Sequence, residues 1–72
     1  MSNLEKSESV TSVFTEYRCS LRKMISRYLS RKSDVEDVLQ ETFARTYAAD
    51  KKKSVQFPKL YLFKTAKHLV FN

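Results

Sequence analysis

Aromatic rings and cations recur together near the C-terminal end of the chain. Tyr61, Lys64, Thr65 and His68 are spaced by three, four and seven residues, which places them on one face of a helix. Rings give unpaired bases a surface to stack on, and lysines pair with phosphates, as in single-strand nucleic-acid binding. Aromatic-plus-lysine helices are common, however, and a lone histidine such as His68 is more often an ordinary, partly exposed residue than a ligand.

A second polar set has a different chemistry. Asp37, Gln40, Glu41 and Ala44 fall on one strip of a helix predicted for residues 33–50. Most strips of this kind are simply solvated helix faces.

The central helix that carries this strip has a clear start signal. Ser33 and Glu36 have the spacing of a capping box, and Asp34 and Asp37 suit the positive end of the helix dipole. The apolar residues of this helix recur at three- and four-residue steps and predict a buried stripe. They are Val35, Val38, Leu39, Thr42, Phe43 and Tyr47.

A first helix is predicted from Val10, capped by Thr11 or Ser12, after a flexible N-terminus over residues 1–9. A short polar connection, residues 30–33, leads to the central helix and favours an antiparallel pair. The stripe of the first helix comprises Val10, Val13, Phe14, Tyr17, Leu21, Met24, Ile25, Tyr28 and Leu29.

A third helix is predicted to begin at Pro58, because proline suits the first helical position and disfavours helix before it. The loop before it contains Lys51, Lys52 and Lys53, which are either a solvated run or a phosphate-contacting one. The predicted core stripe of the third helix is Leu62, Ala66, Leu69 and Val70, with Phe63 at its edge. With no glycine and one proline, residues 10–72 predict an all-α domain, a small bundle of three to four helices.

Charge is unevenly distributed along the chain. The net charge of +6 divides into +4 for residues 1–33, −4 for residues 34–50 and +6 for residues 51–72. An acidic helix between two basic segments is not typical of a uniformly basic DNA-binding protein. It indicates two partners, a polyanion for the ends and something else for the middle.

Several classes of protein are disfavoured. One cysteine, Cys19, excludes an internal disulfide and suits a reducing compartment, and we expect it to pack near a helix interior. No apolar run approaches the roughly 20 residues of a membrane span, and no signal peptide is evident, so we expect a cytoplasmic protein. We expect no metal and no cofactor, because no second histidine or cysteine lies at metal spacing. The absence of a glycine-rich loop or a Cys/His pair argues against an enzyme.

The chain contains the motif D-V-L-Q-E-T-F (37–43), which follows a basic, aromatic-bearing helix and precedes P-x-x-Y-L-F (58–63). This combination resembles region 2 of bacterial RNA polymerase sigma factors. It looks most like their extracytoplasmic-function group, and the resemblance covers roughly residues 17–70. The resemblance implies that Asp37, Gln40 and Glu41, with Ala44 on the same strip, bind the clamp helices of the largest subunit of core RNA polymerase.

The same resemblance implies a DNA-binding role for the C-terminal segment, which would open the promoter and hold the non-template strand of the −10 element. Tyr61 matches the aromatic position at the melting edge, and Lys64 and Lys67 match positions that contact the DNA backbone. The loop 51–56 matches the one that captures a flipped base, at a cost of a few kcal/mol for extrusion. Phe57 and His68 depart from the family's usual asparagines, and His68 leaves the −10 preference open.

The family's second helical domain, which reads the −35 element, has no counterpart in these 72 residues, so we expect a fragment or an incomplete reading frame. The resemblance also admits an anti-sigma factor as a partner. A generic basic helical domain that reads duplex DNA is less favoured, because the third helix has no Asn or Gln before its end. A self-associating domain that forms a homodimer is the other alternative.

Overall fold

The computed structural model describes residues 9–71, which form three α-helices. They are α1 (Val10–Ser26), α2 (Lys32–Lys52) and α3 (Pro58–Phe71). Each helix packs against the other two, and residues 9–71 contain no strand, which confirms the all-α bundle. The predicted flexible N-terminus lies outside the described residues except for Ser9. None of the helices in this range is long and apolar enough to cross a bilayer.

One core lies where the three helices meet, and the predicted stripes supply it. Tyr28 and Tyr47, which the stripes included, are instead 48% and 44% exposed. α1 ends at Ser26, so Tyr28 lies beyond the helix that was predicted to contain it. In α2, Thr46 rather than Tyr47 faces the core. Phe14, Phe63 and Val70 are partly buried at its margin. The core cluster comprises Val13, Leu21, Ile25, Val35, Leu39, Leu62 and Ala66.

Two threonines of α2 are fully buried beside this core. Thr42 donates its hydroxyl to the Val38 carbonyl at 2.7 Å, and Thr46 donates to the Thr42 carbonyl at 2.8 Å. Each hydroxyl is therefore satisfied within its own helix, so that the residue buries only its small side chain. Thr42 belonged to the predicted stripe, whereas Thr46 did not.

The predicted capping box is wrong. α2 begins at Lys32, and Arg31 occupies the cap position without a side-chain hydrogen bond to the helix. The Glu36 carboxylate instead accepts hydrogen bonds from Arg22 of α1, at 2.9 Å to Nε and 3.4 Å to Nη2. A guanidinium offers a charge-assisted, two-point partner, which a backbone N–H does not.

The predicted cap of α1 is also wrong by two or three residues. Ser9, not Thr11 or Ser12, has the extended backbone of a cap, and its Oγ accepts the Ser12 N–H at 3.1 Å. At the other end of the chain, α3 begins at Pro58 as predicted. The connection between α2 and α3 is correspondingly short, residues 53–57.

Candidate nucleic-acid and protein interfaces

The acidic strip of α2 is exposed along its whole length. Asp37, Gln40, Glu41 and Ala44 are all exposed. On a helix of 3.6 residues per turn, their mean direction is opposite to that of the buried residues of α2. The strip is therefore available to a partner without rearrangement of the core.

One member of the strip already has a partner within α2. The Glu41 carboxylate Oε2 lies 2.8 Å from Nε of Arg45, one helical turn later. Both side chains remain about half exposed, at 51% and 53%. Arg45 was not among the predicted site residues, although it is the one cation in the acidic segment 34–50.

The end of α2, the loop 53–57 and α3 enclose a concavity of about 540 Å³. Lys51 and Lys52 belong to α2, whereas the prediction placed them in the loop. Lys52 and Lys53 lie on one side of the concavity, and Tyr61 and Lys64 lie on its α3 side. The structure thus brings four of the predicted DNA-binding residues together. Lys51 does not line the concavity, because its ammonium lies 5.3 Å from the centre of the Tyr47 ring.

A hydrogen bond closes the base of this loop. The Val55 N–H donates to Oδ1 of Asp50 at 2.8 Å, across the turn that carries Lys53. Asp50 is half-buried, and both residues of the pair flank the lysine run. The carboxylate therefore fixes the loop wall of the concavity relative to the end of α2.

A second concavity, of about 400 Å³, lies beside the first. Arg45, Tyr61, Lys64, Thr65 and His68 line it, so that Tyr61 and Lys64 belong to both concavities. The predicted face of α3 is therefore one continuous surface. Lys67 is exposed but lines neither concavity.

The family model described as Sigma-70 region 2 matches residues 13–72. The chain belongs to the sigma-70 region 2 family. Region 2 is a non-enzymatic domain of sigma factors, which act in transcription initiation, and it implies core RNA polymerase and promoter DNA as partners. No curated protein and no solved structure matches the chain.

Two residues of the region 2 domain line the candidate DNA surface but were not predicted to belong to it. Phe57 and Leu60 are 65% and 57% exposed, and both line the larger concavity. Phe57 was noticed only as a departure from the family pattern. It lies directly before Pro58 and four residues after the lysine run, outside any helical stripe, so no spacing in the sequence indicated its exposure.

Two further expectations concern the burial of Cys19 and the presence of metal ligands. Cys19 is exposed on α1, so the prediction that it packs near a helix interior is wrong. Its neighbour Leu21, not Cys19, faces the core. Residues 9–71 contain no group of three or more His, Cys, Asp or Glu side chains arranged to hold a metal ion.

Proposed function

We propose that this region 2 domain docks on the clamp helices of core RNA polymerase through its acidic strip and holds the melted −10 element on its α2–α3 surface. The observation that carries the proposal is the separation of the two residue sets. Asp37, Gln40, Glu41 and Ala44 share one exposed strip. Lys52, Lys53, Tyr61, Lys64 and His68 line the two adjoining concavities.

The chemistry of each surface fits its proposed partner. The acidic strip offers carboxylates and an amide, which bind cationic and polar side chains but repel phosphates. The α2–α3 surface offers lysines for the backbone and the exposed Tyr61 ring for stacking. Lys51 and Lys67 would contact the DNA backbone further along the strand, outside the concavities. Because the acidic strip and the α2–α3 surface are separate, DNA and polymerase can be bound at the same time.

Strand opening by this surface requires no covalent step. Stacking on Tyr61 is available to an unpaired base but not to one held inside a duplex. Differential binding then shifts the duplex equilibrium towards the open state. Phe57 offers a second exposed ring on the rim of the larger concavity, where it compensates for part of the cost of unstacking.

The polymerase half of the proposal is tested by binding to core RNA polymerase. Gln40→Ala/Glu41→Ala should weaken binding at least tenfold, about 1.4 kcal/mol, while circular dichroism shows an unchanged helix content. Glu16→Ala/Ser20→Ala removes comparable exposed groups from α1 and should bind like wild type. A folded wild-type domain that ignores polymerase at tens of micromolar, about −6 to −7 kcal/mol, would overturn this half.

The DNA half is tested by comparing a labelled single strand carrying a −10 sequence with its duplex. Tyr61→Ala should weaken single-strand binding by about 1–3 kcal/mol, whereas Tyr61→Phe keeps the ring and should retain it. A preference for duplex would instead favour a major-groove domain. Mass that rises with concentration would support the homodimer. The anti-sigma partner and the extracytoplasmic-function subgroup stay predictions.

A further inference from the structure

Arg45 lies at the boundary between the two proposed surfaces. Its Nε donates to Glu41 of the acidic strip at 2.8 Å. The same residue lines the smaller concavity with Tyr61, Lys64 and His68. One side chain therefore touches a residue proposed to bind polymerase and borders a site proposed to bind DNA.

We propose that Arg45 is a DNA-phosphate contact whose availability is controlled by Glu41. In the free domain, the guanidinium is hydrogen-bonded to Glu41. When Glu41 binds a cationic group of the polymerase, Arg45 turns to a phosphate at the smaller concavity. This inference rests on the proposed function, because it needs both Glu41 at the polymerase and DNA on the α2–α3 surface.

The geometry of the pair allows this exchange. An ion pair between two half-exposed side chains contributes little net free energy, because water competes for both groups. Among the hydrogen bonds described within residues 9–71, Arg45 uses Nε alone, and its other nitrogens remain for a second acceptor. A guanidinium binds phosphate by two parallel hydrogen bonds, which makes arginine a better phosphate ligand than lysine.

The other ion pair described within residues 9–71 shows the contrast. Arg22 and Glu36 join α1 to α2 with two hydrogen bonds, and their exposure is lower, at 35% and 37%. That pair crosses between two helices. The Arg45–Glu41 pair lies within one helix, so that its opening leaves the packing of the three helices unchanged.

Control of Arg45 by Glu41 couples the two partners. Polymerase bound at Glu41 would raise the affinity for DNA, and DNA bound at Arg45 would raise the affinity for polymerase by the same factor. The free domain would bind promoter DNA weakly, and the docked domain would bind it more tightly. The coupling needs no change of fold, only an exchange of one hydrogen-bonded partner.

The first experiment titrates a fluorescent single-stranded oligonucleotide of about 12 nucleotides, within the site sizes of such proteins. Glu41→Gln should tighten DNA binding roughly twofold to fivefold, the range of an exposed ion pair. The gain should vanish in Glu41→Gln/Arg45→Gln. Glu16→Gln changes the net charge equally on α1 and should tighten binding less. An equal gain from Glu16→Gln, or a gain that survives Arg45→Gln, would overturn the inference.

The second experiment measures the same DNA titration with and without saturating clamp coiled coil. The coiled coil should raise DNA affinity for the wild type but not for Arg45→Gln, and Arg45→Lys should restore part of the effect. A wild-type domain that binds both partners without mutual effect would overturn this inference and leave the proposed function intact. A domain that binds neither partner would instead overturn the proposed function.

Discussion

The Glu36 carboxylate of α2 pairs with a side chain of another helix. The residue is the fifth of α2 and lies past the first turn, which contains Asp34 and the backbone N–H groups left free at the helix start. It pairs instead with the Arg22 guanidinium, whose hydrogen bonds, together with its charge, lower the pKa of the Glu36 carboxyl group. The same contact raises the pKa of Arg22. The carboxylate thus connects two helices rather than capping one.

This pairing predicts a pH-dependent contribution to stability. Because the pKa of Glu36 is lower in the folded state, its contribution is complete above the ordinary value near 4.5 and is lost as the pH falls through the folded-state pKa. Urea midpoints of wild type and Glu36→Gln should therefore differ at pH 7 and converge in acid. Glu16→Gln, on the exposed side of α1, should differ little at either pH. A wild-type advantage over Glu36→Gln that persists unchanged in acid would contradict the prediction.

At the scale of the helix, the start of α1 depends on one hydroxyl. Ser9 accepts the Ser12 N–H, one of the donors left free at a helix N-terminus. Ser9→Ala should lower the free energy of unfolding by about 0.5–2 kcal/mol, measured by urea denaturation. Ser12→Ala removes the same atom one turn later and should be close to neutral. A larger loss from Ser12→Ala would show that the cap is misassigned.

The loop between α2 and α3 depends on the Asp50–Val55 hydrogen bond in a comparable way. Asp50→Ala should free the loop, and hydrogen exchange of the Val55 amide should speed up. Single-strand DNA binding should weaken as well, because the wall that carries Lys53 is no longer fixed. Asp50→Asn keeps an acceptor oxygen and should retain most of both properties. If amide exchange at Val55 is the same in all three proteins, the hydrogen bond does not hold the loop.

Sequence periodicity predicted the helices because burial repeats with the helical turn. Leu21, Leu39 and Leu62 all fall on predicted stripes, and Pro58 marks the start of α3. The inclusion of Tyr28 was wrong because α1 ends at Ser26. Thr46 follows Leu39 and Thr42 at helical spacing and is buried, so its omission from the predicted stripe was an error of selection and not a limit of spacing.

The candidate surfaces, like the helices, were predicted from the sequence only in part. The α2 strip and the Tyr61–His68 face follow from spacing within one helix. Arg45 was missed because its significance comes from α3, which lies beside it only in the folded domain. Phe57 was missed because exposure of a ring on a loop depends on the path of that loop, not on periodicity.

At the scale of the whole molecule, the fold separates charges that alternate along the chain. Residues 1–33 and 51–72 carry +4 and +6, and residues 34–50, within α2, carry −4. Under the proposed function, the acidic strip would repel a polyanion, and DNA would approach from the lysine-rich side. Electrostatics would then orient the domain between its two partners before any specific contact forms.

This arrangement predicts that the position of a lysine, not net charge alone, sets DNA affinity. Each phosphate contact on a single strand contributes about −0.7 to the slope of log affinity against log salt. Lys52→Gln/Lys53→Gln should therefore flatten the slope by about 1.4, if each lysine contacts one phosphate. Lys23→Gln/Arg27→Gln removes the same charge from exposed positions at the C-terminal end of α1 and should leave the slope nearly unchanged. Equal flattening by both pairs would mean that DNA responds to the overall charge or also contacts α1, and the surface would have to be extended accordingly.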